Sequence, residues 1–163
     1  MSSSLSELAS PLRAELLFQD EPLQVQALMT AAPVTISPTT SVHEAHTLMQ
    51  QRQVRHLPVL EHGRLLGMVT DRDIRLALPS PATSLAVHEI HYLLDKLTAA
   101  EVMHPFVKTV TPDTPVATAI GYMLGGKISA LPVIEQGQLV GILTRTDILR
   151  AILRAEAEWC AAA

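Results

Sequence analysis

Two short turns hold the residues best suited to chemistry. Thr70-Asp71-Arg72-Asp73 and Thr144-Arg145-Thr146-Asp147 each set a hydroxyl three positions before a carboxylate. At a helix start this spacing satisfies free backbone N–H groups, as it would in any protein. The same pair has a second, compatible use. A carboxylate can accept hydrogen bonds from paired hydroxyls, and a threonine at a helix start adds a hydroxyl where free N–H groups and the positive dipole end favour an anion. That chemistry is binding, not cleavage.

The two turns belong to a longer repetition. Residues Val34 to Ala77 recur as Lys108 to Ala151, 74 positions on and without a gap. Leu57-Pro58-Val59 returns as Leu131-Pro132-Val133, and Gly63-Arg64-Leu65-Leu66-Gly67-Met68-Val69-Thr70 as Gly137-Gln138-Leu139-Val140-Gly141-Ile142-Leu143-Thr144. Two copies of one unit imply an internal pseudo-twofold, with function sought between the copies. The copies differ most usefully at Arg55-His56, which face Ser129-Ala130 in the alignment. Arg grips phosphate through a planar fork and His adds a pH-dependent charge, although both also suit a solvated strand edge.

Composition narrows the field. The chain has 163 residues, 48% of them hydrophobic but only 3% aromatic, so the core must be aliphatic. Units of about 60 residues are marginal alone, so the copies should stabilise each other. A net charge of −4 with no basic stripe argues against nucleic acid. The start, Met1-Ser2-Ser3-Ser4-Leu5-Ser6-Glu7, lacks the pattern of a secretory signal, and no apolar run approaches the roughly 20 residues of a membrane span. The single cysteine, Cys160, cannot close an internal disulfide, which fits a reducing cytoplasm.

No enzyme signature emerges. Nothing pairs a Ser or Cys nucleophile with a base, and Gly125-Gly126-Lys127 lacks the rest of a phosphate loop. The pairs His43/His46 and His88/His91 have helical spacing for two metal ligands, but no Cys or acidic cluster completes a set. Met29, Met49, Met103 and Met123 sit in apolar rows and are expected in the core.

The elements that must position the turns follow from patterning. A loose start, residues 1–22, includes a possible-helix stretch from Leu12 to Phe18. The first repeat, 23–78, opens with Val25 to Met29 and a small strand at Val34-Thr35-Ile36, ended by Pro38. Ser41-Val42-His43-Glu44 has the spacing of a capped helix start, and Pro115 is expected in the first turn of the matching helix, behind Thr114. Val42, Ala45 and Met49 share one helical stripe, as do Val116, Ala119 and Met123. Leu57 to Leu60 and Leu65 to Val69 flank a glycine turn and read as a hairpin, repeated around Gly137. Helices follow from Asp71 to about Leu78 and from Thr146 to Leu153. Pro79-Ser80-Pro81 breaks the chain within a linker, 79–97, that carries a helix from Ser84 to Lys96 with Leu85, Ile90, Leu93, Leu94 and Leu97 on its covered side. The second repeat spans 98–154. The tail, 155–163, extends the last helix and then frays, with Trp159 as an oligomer contact or a cover for the connector. Each repeat is thus β-α-β-β-α, an α/β (α+β) fold.

In this order the motifs resemble a tandem CBS-domain pair, or Bateman module. The resemblance rests on Val34-Thr35-Ile36-Ser37-Pro38, Arg55-His56-Leu57-Pro58-Val59 and Gly67-Met68-Val69-Thr70-Asp71-Arg72-Asp73-Ile74 with their counterparts, and covers about three quarters of the chain. The chain is similar to stand-alone prokaryotic CBS-pair proteins related to acetoin utilisation. The resemblance implies two repeats packed through their small sheets, an adenosine ligand such as AMP, ADP or ATP, with S-adenosylmethionine or NAD as alternatives, and a homodimer regulating a partner of unknown identity. It implies two clefts that mix the copies. One would combine Thr70 and Asp73 with Thr109, Val110, Ile128, Ser129 and Ala130; the other Thr144 and Asp147 with Thr35, Ile36, Val54, Arg55 and His56. Arg72 and Arg145 are the candidate phosphate contacts. The cleft with Arg55 and His56 is expected to prefer the more phosphorylated ligand. The competing reading is a ligand-free scaffold for dimerisation.

Overall fold

The computed structural model describes residues 22–77 and 86–162. The expected helix from Leu12 to Phe18, the break at Pro79-Ser80-Pro81 and the connector's start at Ser84 and Leu85 lie outside the described residues, as do the side chains of His91 and Trp159.

After a 3-10 turn, Val25–Ala27, the elements are β1 (Thr30–Ala31), α1 (Val42–Arg52), β2 (His56–Glu61), β3 (Arg64–Thr70), α2 (Asp71–Ala77), α3 (Val87–Lys96), α4 (Ala99–Val102), α5 (Val116–Gly126), β4 (Ala130–Glu135), β5 (Gln138–Thr144) and α6 (Arg145–Ala162). They form a two-stranded sheet, β2-β3, and a three-stranded sheet, β1-β5-β4. Both hairpins turn through two residues of positive φ, His62-Gly63 and Gln136-Gly137. That backbone matches the twist of paired strands, and glycine adopts it without a Cβ penalty.

The chain gathers into two compact units whose boundaries cut across the sequence repeats. Of the described residues, one holds those within Ala32–Lys108 with Glu135–Val140; the other holds Thr109–Ile134 with 141–162 and 22–31. Each unit therefore joins the opening of one repeat to the body of the other. In the second, Val25 N–H donates to Thr114 O at 2.9 Å and Gln26 N–H to Pro112 O at 2.9 Å; in the first, Ala99 N–H donates to Thr40 O at 2.7 Å and Ala100 N–H to Pro38 O at 3.0 Å. Every one of these partners is matched 74 positions on. The exchange satisfies backbone groups that a helix start or an edge would otherwise leave unpaired.

The core of the unit containing Asp73 is Ile36, Val42, Ala45, Met49, Leu57, Val59, Val69, Ile74, Leu94 and Ala99, with Ile90 and Leu97 packed against it. Leu94 faces inward as expected from the connector, whereas Leu93 is exposed. In the other unit Val25, Val110, Val116, Ala119, Met123, Ala130, Leu131, Val133, Ile142 and Leu143 are buried. Both helical stripes expected from the sequence are thus core faces. Each fully buried Leu or Val contributes about 1.5–3 kcal/mol.

Three local expectations need correction. Val34-Thr35-Ile36 is not a continuous strand but a single parallel bridge, Ile36 to Val59, with Ile36 N–H donating to Pro58 O at 3.0 Å. Pro38, two residues on, leaves no room for a second pair. Thr30–Ala31, not foreseen as a strand, instead pairs antiparallel with Ile142 and Gly141. Pro115 is the residue before α5, with φ −59° and ψ 135°, so it lies one place outside the first turn. Lacking a side-chain acceptor there, the helix start is met by Leu23 O, which accepts from Val116 N–H at 2.8 Å. At α1, Ser41 Oγ accepts from Glu44 N–H at 3.1 Å as expected. The last helix continues into the tail, through Ala162.

Two glycines mark where the exchanged openings cross the hairpins. A Cβ on Gly67 would lie 2.5 Å from His104 O, and one on Gly141 2.5 Å from Met29 Sδ and 3.2 Å from Thr30 O. The strand can approach only because no side chain stands there.

Candidate functional site

The ends of β3 and β5 run straight into α2 and α6, and the two Thr/Asp turns sit at those junctions. Thr70 donates to Asp73 Oδ2 from its N–H at 2.8 Å and from its hydroxyl at 2.6 Å, while Asp73 N–H donates back to Thr70 Oγ1 at 3.3 Å. Thr144 and Asp147 repeat the same three bonds at 2.8, 2.6 and 3.3 Å. Both turns are therefore capping boxes. Capping takes one carboxylate oxygen and leaves Oδ1 for another partner.

The fate of that second oxygen separates the sites. His104 Nε2 lies 2.9 Å from Asp73 Oδ1, and because a carboxylate only accepts, the ring nitrogen carries the proton. Asp73 is buried, at 8% exposure, beneath a histidine whose side chain is 71% exposed. Oδ1 of the half-buried Asp147 accepts no hydrogen bond from the described residues. The position 74 before His104 is Thr30.

The flanking charges differ as well. The first turn of α2 carries Asp71, which pairs with Arg75 at 2.8 Å. Its counterpart in α6 is Arg145, whose Nε and Nη2 donate to Ile128 O at 3.1 and 2.9 Å. This fork holds the guanidinium on the Ile128 carbonyl, in the helical turn that carries Asp147. Arg72 is exposed.

Within each unit, the strand-entry candidates gather around the local turn. Arg55 O accepts from Asp71 N–H at 3.0 Å, and His56 lies opposite Thr70 in the β2-β3 register. Val54 N–H donates to Met49 O at 3.0 Å, and Thr35 precedes the Ile36 bridge. In the other unit Ser129 O accepts from Arg145 N–H at 3.0 Å, Ile128 N–H donates to Met123 O at 3.1 Å, and Ala130 begins β4. Thr109 precedes Val110, whose N–H donates to Pro132 O at 3.1 Å.

His104 was not foreseen from sequence. The ungapped repeat of whole motifs begins at Val34 and Lys108, yet the identical spacing of Met29 and Met103 extends it far enough to set His104 against Thr30. Of the helically spaced histidines, His43 Nδ1 bonds Asp95 at 2.8 Å and His46 Nε2 bonds Gln50 at 3.2 Å. Among the described residues no three His, Cys, Asp or Glu side chains converge on a metal position, and no helix is long and apolar enough to cross a membrane.

Comparison with known proteins decides the family. The CBS domain model matches twice, at residues 25–80 and 99–154. The chain belongs to the CBS-domain family. The matches take in both Thr/Asp turns, and the mixed α/β architecture is that of solved CBS pairs. This CBS pair is similar to a solved acetoin utilization protein (AcuB) from Vibrio cholerae, at 29% identity and TM-score 0.71, covering 87% of this chain and 98% of that one. It is similar to the CBS pair of protein MJ0100 solved with 5-methylthioadenosine and S-adenosyl-L-methionine, at 28% identity and TM-score 0.67, covering 80% and 96%. It is also similar to CBSX2 solved with AMP, at 32% identity and TM-score 0.66, covering 80% and 97%.

Proposed function

We propose that this CBS pair is a cytoplasmic regulatory module that binds an adenine nucleotide and passes its bound state to a partner protein through a homodimer, without catalysing a reaction. The observation that carries the reading is the Thr/Asp turn present in both repeats, with one carboxylate oxygen taken by the cap and Oδ1 left outside it. AMP, 5-methylthioadenosine and S-adenosylmethionine in similar CBS pairs support an adenosine ligand. In this reading Asp73 and Asp147 take ribose hydroxyls. Thr70 and Thr144 stand beside the phosphate path, with Arg72 and Arg145 as the nearby cations. Thr35, Ile36, Val54, Arg55 and His56, and Thr109, Val110, Ile128, Ser129 and Ala130, complete the two ligand sets.

Calorimetry with AMP, ADP, ATP, S-adenosylmethionine and NAD tests it. At least one should bind more tightly than about 1 mM, equivalent to roughly 4 kcal/mol. Binding by none refutes the sensor.

A second reading, a ligand-free dimerisation scaffold, is favoured by one surface. Leu149, Ile152 and Leu153 are exposed at helical spacing on α6. A dimer purified without nucleotide and showing no thermal shift with any of the five compounds would select it.

A further inference from the structure

We propose that His104 is a gate on the Asp73 site, holding in the ligand-free protein the oxygen that a ribose diol must use; this rests on the nucleotide-binding reading above. Asp73 Oδ2 already accepts two bonds from Thr70, so a ligand hydroxyl is left with Oδ1. His104 Nε2 holds that atom at 2.9 Å. The ring is built to move without disturbing the fold. Its backbone is fixed by reciprocal bonds to Met68, N–H to O at 2.9 Å and O to N–H at 3.1 Å, while the side chain itself is largely in solvent. Rotation about the side-chain bonds therefore exposes Oδ1 and leaves the bridge intact.

The other repeat supplies the comparison within one molecule. Thr30 crosses β5 opposite Ile142, as His104 crosses β3 opposite Met68, and Gly141 and Gly67 admit the two crossings. The backbone arrangement is the same but the threonine makes no bond to Asp147 among the described residues. The Asp147 site is thus open and the Asp73 site latched. A ligand at Asp73 must compete with an internal donor, so its apparent affinity falls by the fraction of molecules in which the latch is open. The two sites then fill in order as ligand rises, Asp147 before Asp73.

The residues can be exchanged, since both positions are exposed. Calorimetry with AMP should find the Asp73 event tightened about five- to tenfold in His104→Thr, and the Asp147 event weakened by a similar factor in Thr30→His. Titrations in Asp147→Ala and Asp73→Ala backgrounds assign each event. Two events in the wild type that His104→Thr leaves unchanged would overturn the gate while the nucleotide reading stands. Weaker AMP binding in His104→Thr would also overturn it, making the ring a ligand contact instead. No heat from either protein with AMP or with any of the other four compounds removes the nucleotide reading and the gate together, whereas heat from His104→Thr alone supports both. A ligand-free readout stands apart from these. The Nε2 resonance of His104 should move in Asp73→Asn, and an unmoved resonance refutes the latch even where AMP binds normally.

Discussion

The Asp73 and Asp147 turns share every backbone device and differ in what surrounds the spare carboxylate oxygen. Around Asp73 the fold places His104 on Oδ1 and an acidic neighbour, Asp71, in the first helical turn. Around Asp147 it leaves Oδ1 without a bond from the described residues and puts a basic residue, Arg145, in the first helical turn. Duplication thus preserved the scaffold of the turn, because the cap stabilises its helix whether or not a ligand comes. The side chains that meet the outer oxygen carry no such duty, and there the copies diverged.

The largest effect should come from removing the carboxylates. Asp147→Ala should abolish one calorimetric event and Asp73→Ala the other, each at a cost of about 1.5–3 kcal/mol for hydrogen bonds to a charged group. Each substitution also removes half a capping box, lowering stability by about 1 kcal/mol. Equal partial loss at both events from either substitution would contradict two separate sites.

Next in size are the two glycines beneath the crossings. An alanine Cβ at position 67 meets a backbone carbonyl, His104 O, whereas at position 141 the nearest atom is the end of a flexible side chain, Met29 Sδ. Gly67→Ala should therefore destabilise by about 2–3 kcal/mol, near the upper end for overpacking, and Gly141→Ala by about 1 kcal/mol. Denaturant unfolding ranks the two. The reverse order would show that the crossing near His104 yields more readily than the one near Thr30.

Much of the scaffold was legible in the sequence because it is written locally and twice. The stripes Val42-Ala45-Met49 and Val116-Ala119-Met123, the glycine turns and the capping spacings are short-range signals, and each is found where expected. What escaped was long-range. The exchange of repeat openings links Val25 with Thr114 and Ala99 with Thr40, partners that no period or propensity reveals. The same exchange hid His104, which reaches Asp73 from 31 positions away. Pro115 was misplaced by one position because a proline suits both the last extended residue and the first helical one.

The smallest effect concerns the lead-in to the latch. Glu101 accepts from Thr98 Oγ1 at 2.7 Å and Thr98 N–H at 2.8 Å, and these bonds, the hydroxyl's first, hold its carboxyl below the ordinary value of 4.5. They cap α4, which ends directly before Met103 and His104. The matching positions in the first repeat are Gln24 and Ala27, and there the chain forms only a 3-10 turn before Thr30. Because folding lowers the Glu101 pKa, the unfolded chain binds the proton more readily. The stabilisation is complete above pH 4.5 and is lost as pH falls through the lower folded value. Glu101→Ala, which copies Ala27, should give a small drop in Tm at pH 7 that shrinks as the pH is taken below 4.5. Exposure and salt keep the drop modest. A gap in Tm independent of pH would mean that the ionised carboxylate does not secure the lead-in to His104, and that the two openings differ there in sequence alone.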